Sequence, residues 1–163
     1  MVVAERTRTL VGIETEAFGA DPSQIDKVYQ FRYRVVDLDD VIPSHTDALT
    51  PNPDYPQELQ PRLRNRAASR TQIENIAKNL NPRALLLDSG FIDTGSMIVG
   101  PDLVVESGNG RVLALRKASQ DFPEQYARYR KEAGLHYCIY PNAHICFFCN
   151  FICVNHIKFK LFI

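Results

Sequence analysis

The stretch that most constrains the fold is MIVGPDLVVESGNGRVLALRKA, residues 97–118. Two short runs of apolar and β-branched residues flank a Gly-Pro-Asp turn, which is the pattern of a β-hairpin. Apolar residues then recur with helical spacing, beginning at Val112. Gly108-Asn109-Gly110-Arg111 joins the two parts, and this cluster tolerates the positive φ that a strand-to-helix turn requires. The pattern predicts a hairpin that leads through a tight turn into a helix.

The flanking sequence supplies the remaining elements. A strand is predicted around Tyr33–Leu38 and ends before Pro43. The Pro-rich segment 45–66 shows neither helical nor strand periodicity, and we interpret it as an ordered functional loop. Thr71 and Glu74 form a capping-box pattern for a helix that stops at Asn81-Pro82. A last helix has cap, first-turn and stop signals at positions 121, 123 and 134.

These elements predict a small mixed α/β (α+β) domain over residues 30–134, preceded by an N-terminal extension, residues 1–29. A chain of 163 residues is long enough for one domain with a core. Its formal net charge is zero, so bulk charge favours neither a nucleic-acid nor a membrane partner. Residues 61–134, however, carry 12 basic against 8 acidic side chains, and this local bias suits phosphate ligands.

The last 29 residues differ from the rest of the chain. Residues 135–163 contain all 4 cysteines and no acid, arginine or glycine. The Cys146–Cys149 pair could belong to a zinc site, but its candidate ligands crowd together, so zinc is not favoured. A membrane anchor needs about 20 mostly apolar residues, and polar residues interrupt this run. We interpret the tail as foreign to the domain. The cysteine-free body and the absence of a secretory signal predict a reducing, cytoplasmic location.

The Gly-Asn-Gly-Arg turn has two interpretations. It could be a turn alone, with Asn109 as the helix cap. It could also bind an anion, because unpaired amides and the helix dipole favour negative charge at a helix N-terminus. Arg111 lies in the first turn, where the dipole alone would favour an acid, so a shared anionic ligand would explain it. Four further arginines are candidate phosphate or DNA contacts: Arg62, Arg64, Arg66 and Arg70.

Three collinear blocks resemble the ParB/sulfiredoxin superfamily, and most closely its DdrB-like ParB domain of phages and plasmids. They are YRVVDLDDVIPSH, PNPDYPQELQPRLRNRAASRTQIENIAKNL and IVGPDLVVESGNGRVLALR. In that superfamily the G-x-x-R turn binds nucleotide phosphates, ATP in sulfiredoxins and CTP in ParB proteins. The resemblance implies that Gly108, Asn109, Gly110 and Arg111 form a phosphate cradle for CTP or ATP with magnesium. Because this turn holds no cysteine, the sulfiredoxin reaction is not expected.

The sequence therefore predicts a domain that binds a nucleotide or nucleic-acid phosphate. The resemblance implies that the chain comes from a phage- or plasmid-type DNA-processing or antirestriction protein. Other domains of a larger protein are expected as further partners, and a membrane is not. One alternative is a metal-dependent nuclease or nucleotide hydrolase, for which Glu106 is the candidate metal carboxylate, together with Asp102. The other is a structural or interaction module without a ligand. Binding is favoured over catalysis, and no catalytic residue is assigned.

Overall fold

The computed structural model describes residues 14–19, 27–59, 67–87, 89–132 and 156–162, the last of these by its backbone alone. Five strands form one sheet in the order β1-β2-β5-β3-β4. They are β1 (Glu14–Phe18), β2 (Val28–Asp37), β3 (Ile98–Val99), β4 (Val105–Ser107) and β5 (His156–Phe162). Four α-helices accompany them within the described ranges: α1 (Ala67–Lys78), α2 (Pro82–Leu85), α3 (Asn109–Asp121) and α4 (Pro123–Glu132). The mixed α+β class is confirmed.

The predicted hairpin is present. β3 and β4 pair antiparallel, with Ile98 opposite Ser107 and an irregular register at Val99. The turn between them closes through the N–H of Leu103, which donates to the carbonyl of Gly100 at 3.0 Å. β2 includes most of the predicted Tyr33–Leu38 strand and begins five residues earlier, at Val28.

Two strands lie in segments that we expected to stand apart from the domain. β1 belongs to the predicted N-terminal extension and pairs antiparallel with β2. β5 comes from the end of the predicted foreign tail, and its backbone lies between β2 and β3, antiparallel to the first and parallel to the second. The rest of the tail through position 155, including the Cys146–Cys149 pair, lies outside the described residues. The domain limits at 30 and 134 stay predictions, although the sheet extends beyond both.

Two predicted helix caps are wrong. α1 begins at Ala67, so Thr71 lies inside the helix, and its Oγ1 donates to the carbonyl of Ala67 at 3.0 Å. Alanines are strong helix formers, and the two at 67–68 extend the helix by a turn. Asp121 does not cap α4, because it is the last residue of α3 and pairs with Lys117 at 2.6 Å. Pro123 does begin α4, as predicted.

Helix α3 is the centre of the core. Val112, Leu115 and Ala118, which follow one another with the helical spacing seen in the sequence, are fully buried. They belong to a cluster that includes residues of α1, α4 and the hairpin. The opposite face of the sheet carries a smaller cluster around Ala17, Phe31 and Ile98. Since α3 begins directly after β4, the central helix and the hairpin fix the position of the turn between them.

Candidate functional site: the turn between β4 and α3

Gly108 makes the turn possible. It is the N-cap of α3 and has φ 91° and ψ 21°, in the left-handed region. A Cβ at this position would lie 2.9 Å from Nη2 and 3.0 Å from Nε of Arg111, and 3.0 Å from Cγ of Met97. Glycine is therefore required here both by the backbone conformation and by close neighbours.

The turn presents the positive end of a 13-residue helix. The carbonyl of Gly108 accepts from the N–H groups of Arg111 and Val112, at 2.8 and 3.0 Å. The N–H groups of Asn109 and Gly110 come before the first N–H that donates within the helix, that of Arg111, and they have no partner within the helix. No acidic residue lies in the first turn. Amide donors and the helix dipole therefore combine at this point in the manner that favours an anion.

The side chain of Arg111 reaches back across the turn to the loop that precedes β3. Its Nη1 donates to the carbonyl of Gly95, and its Nη2 donates to the carbonyl of Asp93 at 3.3 Å. Burial lowers the pKa of Arg111, and the nearby Asp93 carboxylate acts in the opposite direction. An arginine remains charged under such a shift. The structure therefore places a half-buried guanidinium beside Gly108, with two of its donors directed to main-chain carbonyls.

The side chain of Asn109 points into the protein. It is buried, and its Oδ1 accepts from the N–H of Ser44 at 2.6 Å. Its Nδ2 donates to the carbonyl of Val105 at 3.2 Å and to the hydroxyl of Tyr55 at 3.5 Å. The helix-cap role that the sequence suggested for Asn109 is wrong, since Gly108 is the N-cap and no side chain makes a cap bond. Asn109 fastens the loop after β2 to the start of α3, and only its main-chain N–H remains for an anion.

The two carboxylates near the hairpin turn lie close together. A Cβ on Gly100 would be 2.6 Å from Oδ1 of Asp102 and 3.1 Å from Oε1 of Glu106. Burial raises the pKa of Glu106, and the neighbouring Asp102 raises it further. Oδ1 of Asp102 also accepts from the N–H of Val104 at 3.2 Å. Across the described ranges, no group of three or more His, Cys, Asp or Glu side chains could hold a metal ion.

Of the four candidate arginines, only Arg70 belongs to the described residues; the other three fall in the segment 60–66. Arg70 lies on α1 and lines a cleft of about 270 Å³ between α1, α3 and the loop after β2. The cleft contains no residue of the Gly108–Arg111 turn. Three carboxylates also line it, those of Asp47, Glu74 and Asp121. Lys117 lines it too and pairs with Asp121 at 2.6 Å, so the lining is not a basic patch. Because no residue of the turn lines this cleft, the structure does not bring Arg70 together with the turn.

Sequence reasoning missed the side chains that hold the turn in place. Tyr55, in the Pro-rich loop, is buried and its hydroxyl donates to the carbonyl of Val105 at 2.6 Å. Ser107 donates through its hydroxyl to the carbonyl of Ile92 at 2.5 Å. The sequence offered one signal for the Tyr55 contact, which is an aromatic residue in a segment with four prolines. The second has no local signal, because its partner is 15 positions away.

The fold and the turn define a class: small α+β domains in which a hairpin leads, through a left-handed glycine, into a buried helix with an arginine in its first turn. Within that class the chain belongs to the ddrB-like ParB superfamily domain family, whose model matches residues 24–139. No curated protein and no solved structure gives a significant match. Among the described residues, no helix is both long and apolar enough to cross a membrane.

Proposed function

We propose that the Gly108–Arg111 turn binds the phosphate groups of a nucleotide or of a nucleic acid. The observation that carries the proposal is the position of the Arg111 guanidinium beside Gly108, next to the first-turn amides of α3. The first-turn amides, which carry the positive end of the helix dipole, and a fixed cation both attract one anion. Within this proposal the ligands are CTP or ATP with magnesium, or DNA. The biological role is that of a cytoplasmic DNA-processing or antirestriction protein of phage or plasmid type, acting with other domains of a larger protein.

Calorimetric titration tests the proposal. CTP, ATP and a short DNA duplex are titrated, with magnesium, into the wild type and into Arg111→Ala. Loss of one charge-assisted hydrogen bond should weaken binding by about 1.5–3 kcal/mol, roughly ten- to a hundredfold. The matched control is Arg128→Ala, which removes the same charge from an exposed position on α4, where Arg128 pairs with Glu132 at 3.1 Å. The control should bind as the wild type does. Failure of the wild type to bind any of the three ligands, or equal binding by Arg111→Ala, overturns the proposal.

If the ligand is DNA, the arginines in the segment before α1 should also contribute to binding. Replacing Arg62 and Arg64 with alanine should flatten the salt dependence of duplex binding, by about one unit of slope for each lost phosphate contact. CTP and ATP affinity should change little, because those ligands occupy the turn alone. An unchanged salt slope would assign these arginines to solvated surface and leave the nucleotide as the ligand.

The competing candidate is a metal-dependent nuclease or nucleotide hydrolase. It is favoured by one observation, the approach of Asp102 and Glu106 to the same point above Gly100. Two carboxylates and a nucleotide's own phosphates are a common ligand set for Mg²⁺. Magnesium-dependent turnover of CTP, ATP or DNA that disappears in Glu106→Gln would establish this candidate. Binding without turnover supports the binding domain, and absence of both supports a structural or interaction module.

A further inference from the structure

Loop 89–96 precedes β3 and contains hydrogen bonds between its own residues. The hydroxyls of Ser89 and Thr94 are hydrogen-bonded at 2.5 Å, and the N–H of Phe91 donates to Oγ of Ser89 at 3.2 Å. Gly95 has φ +73°, and a Cβ there would clash with the carbonyl oxygen of Leu87. The hydroxyl contacts therefore cross-link the loop, and Gly95 allows a left-handed turn that a side chain would block.

The same loop supplies both acceptors for Arg111. The carbonyls of Gly95 and Asp93 take one N–H each, from Nη1 and Nη2. A guanidinium has five N–H donors in a rigid plane, so three remain after these two bonds. With two points of the plane attached to the loop, the orientation of the remaining donors is fixed as well.

The guanidinium lies against the turn. Nη2 and Nε are the guanidinium atoms nearest to the Cβ position of Gly108, at 2.9 and 3.0 Å. The Nε–Nη2 edge of an arginine matches two oxygens of a phosphate in a bidentate pair. A free arginine side chain carries about 2 kcal/mol of rotamer entropy, much of which a ligand would have to offset on binding. An arginine that is already fixed avoids this cost.

We propose that loop 89–96 is the positioning element of the anion site, and that the Ser89–Thr94 hydroxyl contact keeps its carbonyls aligned on Arg111. The inference rests on the function proposed above and adds to it. Thr94 and Ser89 are positioning residues that act through Arg111 without contact to the ligand. Phosphate binding and loop order are then coupled, so a bound phosphate also stabilises the loop.

The test uses the whole chain, with CTP as the probe. Thr94→Val removes the hydroxyl and keeps the side-chain shape, and Thr94→Ser keeps the hydroxyl as the matched control. We expect Thr94→Val to weaken CTP binding about two- to tenfold, the cost of ordering one flexible side chain. Thr94→Ser should bind CTP as the wild type does. In the Arg111→Ala background, Thr94→Val should have no further effect, because the residue that it positions is absent.

Hydrogen exchange supplies a second measurement. The amide of Ser96, which donates to the carbonyl of Leu87 at 3.1 Å, should exchange more slowly with CTP in the wild type but not in Arg111→Ala. Equal weakening by Thr94→Val in both backgrounds, or no weakening in either, overturns the positioning role while the proposed function stands. Unchanged exchange at Ser96 in CTP-saturated wild type does the same. A wild type that does not bind CTP, ATP or DNA overturns the proposed function and this inference with it.

Discussion

Oδ1 of Asn109 accepts a hydrogen bond from the N–H of Ser44 at 2.6 Å, across 65 positions of the chain. Both residues are buried. The bond joins the first residue of the central helix to the loop after β2, and Tyr55 from the same loop bonds to the carbonyl of Val105 just before the turn. The Pro-rich loop is thereby part of the support of the candidate site.

Asn109→Ala should destabilise the fold. It removes the bonds to Ser44 and Val105 and leaves a buried N–H without its acceptor, which costs about 1–3 kcal/mol. The measurement is urea unfolding at neutral pH. The control is Asn75→Ala, at an exposed position within α1, where alanine is the better helix former and stability should not fall. Equal midpoints for Asn109→Ala and the wild type would show that the buried contact contributes nothing.

Gly108→Ala should lower stability and phosphate affinity together. The left-handed conformation costs a side-chain-bearing residue about 1–2 kcal/mol, and the added Cβ would meet the Arg111 guanidinium at 2.9 Å. The matched control is Gly19→Ala, outside loop 89–96, where the atom that an added Cβ would meet is Cε2 of Tyr29 at an ordinary contact distance of 3.9 Å. Thermal melts with parallel CTP titrations measure both effects. If the two variants melt alike, the geometry of the turn is not what requires glycine at 108.

Much of this site follows from local sequence, and the rest does not. The hairpin, the turn and the start of α3 are each determined by residues within a few positions of one another, so the pattern from residue 97 onward predicts them. Apart from Val105, the hydrogen-bond partners of the Asn109 and Arg111 side chains lie 16 to 65 positions away. The cap at Thr71 failed for a related reason: a local motif competed with two preceding alanines that extend the helix.

Loss of the hydroxyl should lower the stability of the fold at one buried tyrosine, Tyr55, but not at another, Tyr129. Tyr55→Phe removes a 2.6 Å bond to the carbonyl of Val105 and should cost about 0.5–1.5 kcal/mol. The hydroxyl of Tyr129 is buried without a hydrogen-bond partner in the described part of the chain, and its burial raises the pKa of that group. Tyr129→Phe should therefore leave stability unchanged or raise it. Destabilisation by Tyr129→Phe in urea unfolding would reveal a partner for this hydroxyl.

Glu106 should make stability depend on pH in a defined direction. Burial, then the charge of Asp102, raises its pKa in the folded state above the ordinary value of 4.5. A carboxyl with a raised folded-state pKa favours folding while it is protonated, and this contribution is lost as the pH rises from that value through the folded-state pKa. The effect is small, since the side chain keeps much of its exposure. Melting temperatures between pH 4 and 7 should show that Glu106→Gln lacks part of the decline seen in the wild type. Parallel pH profiles for the two proteins would contradict the raised pKa.

The last prediction concerns β5, which pairs with β2 on one side and β3 on the other. Lys160 lies opposite Tyr33 in the first ladder and opposite Ile98 in the second. Lys160→Pro removes a main-chain donor from an interior strand, and an unpaired buried carbonyl costs about 1–3 kcal/mol. Its control, Lys160→Thr, keeps the donor and should melt as the wild type does. A chain shortened to end at Gly134 should melt lower still, because it exposes the inner edges of β2 and β3. If the shortened chain and Lys160→Pro both melt with the wild type, the tail lies outside the domain, as its composition first indicated.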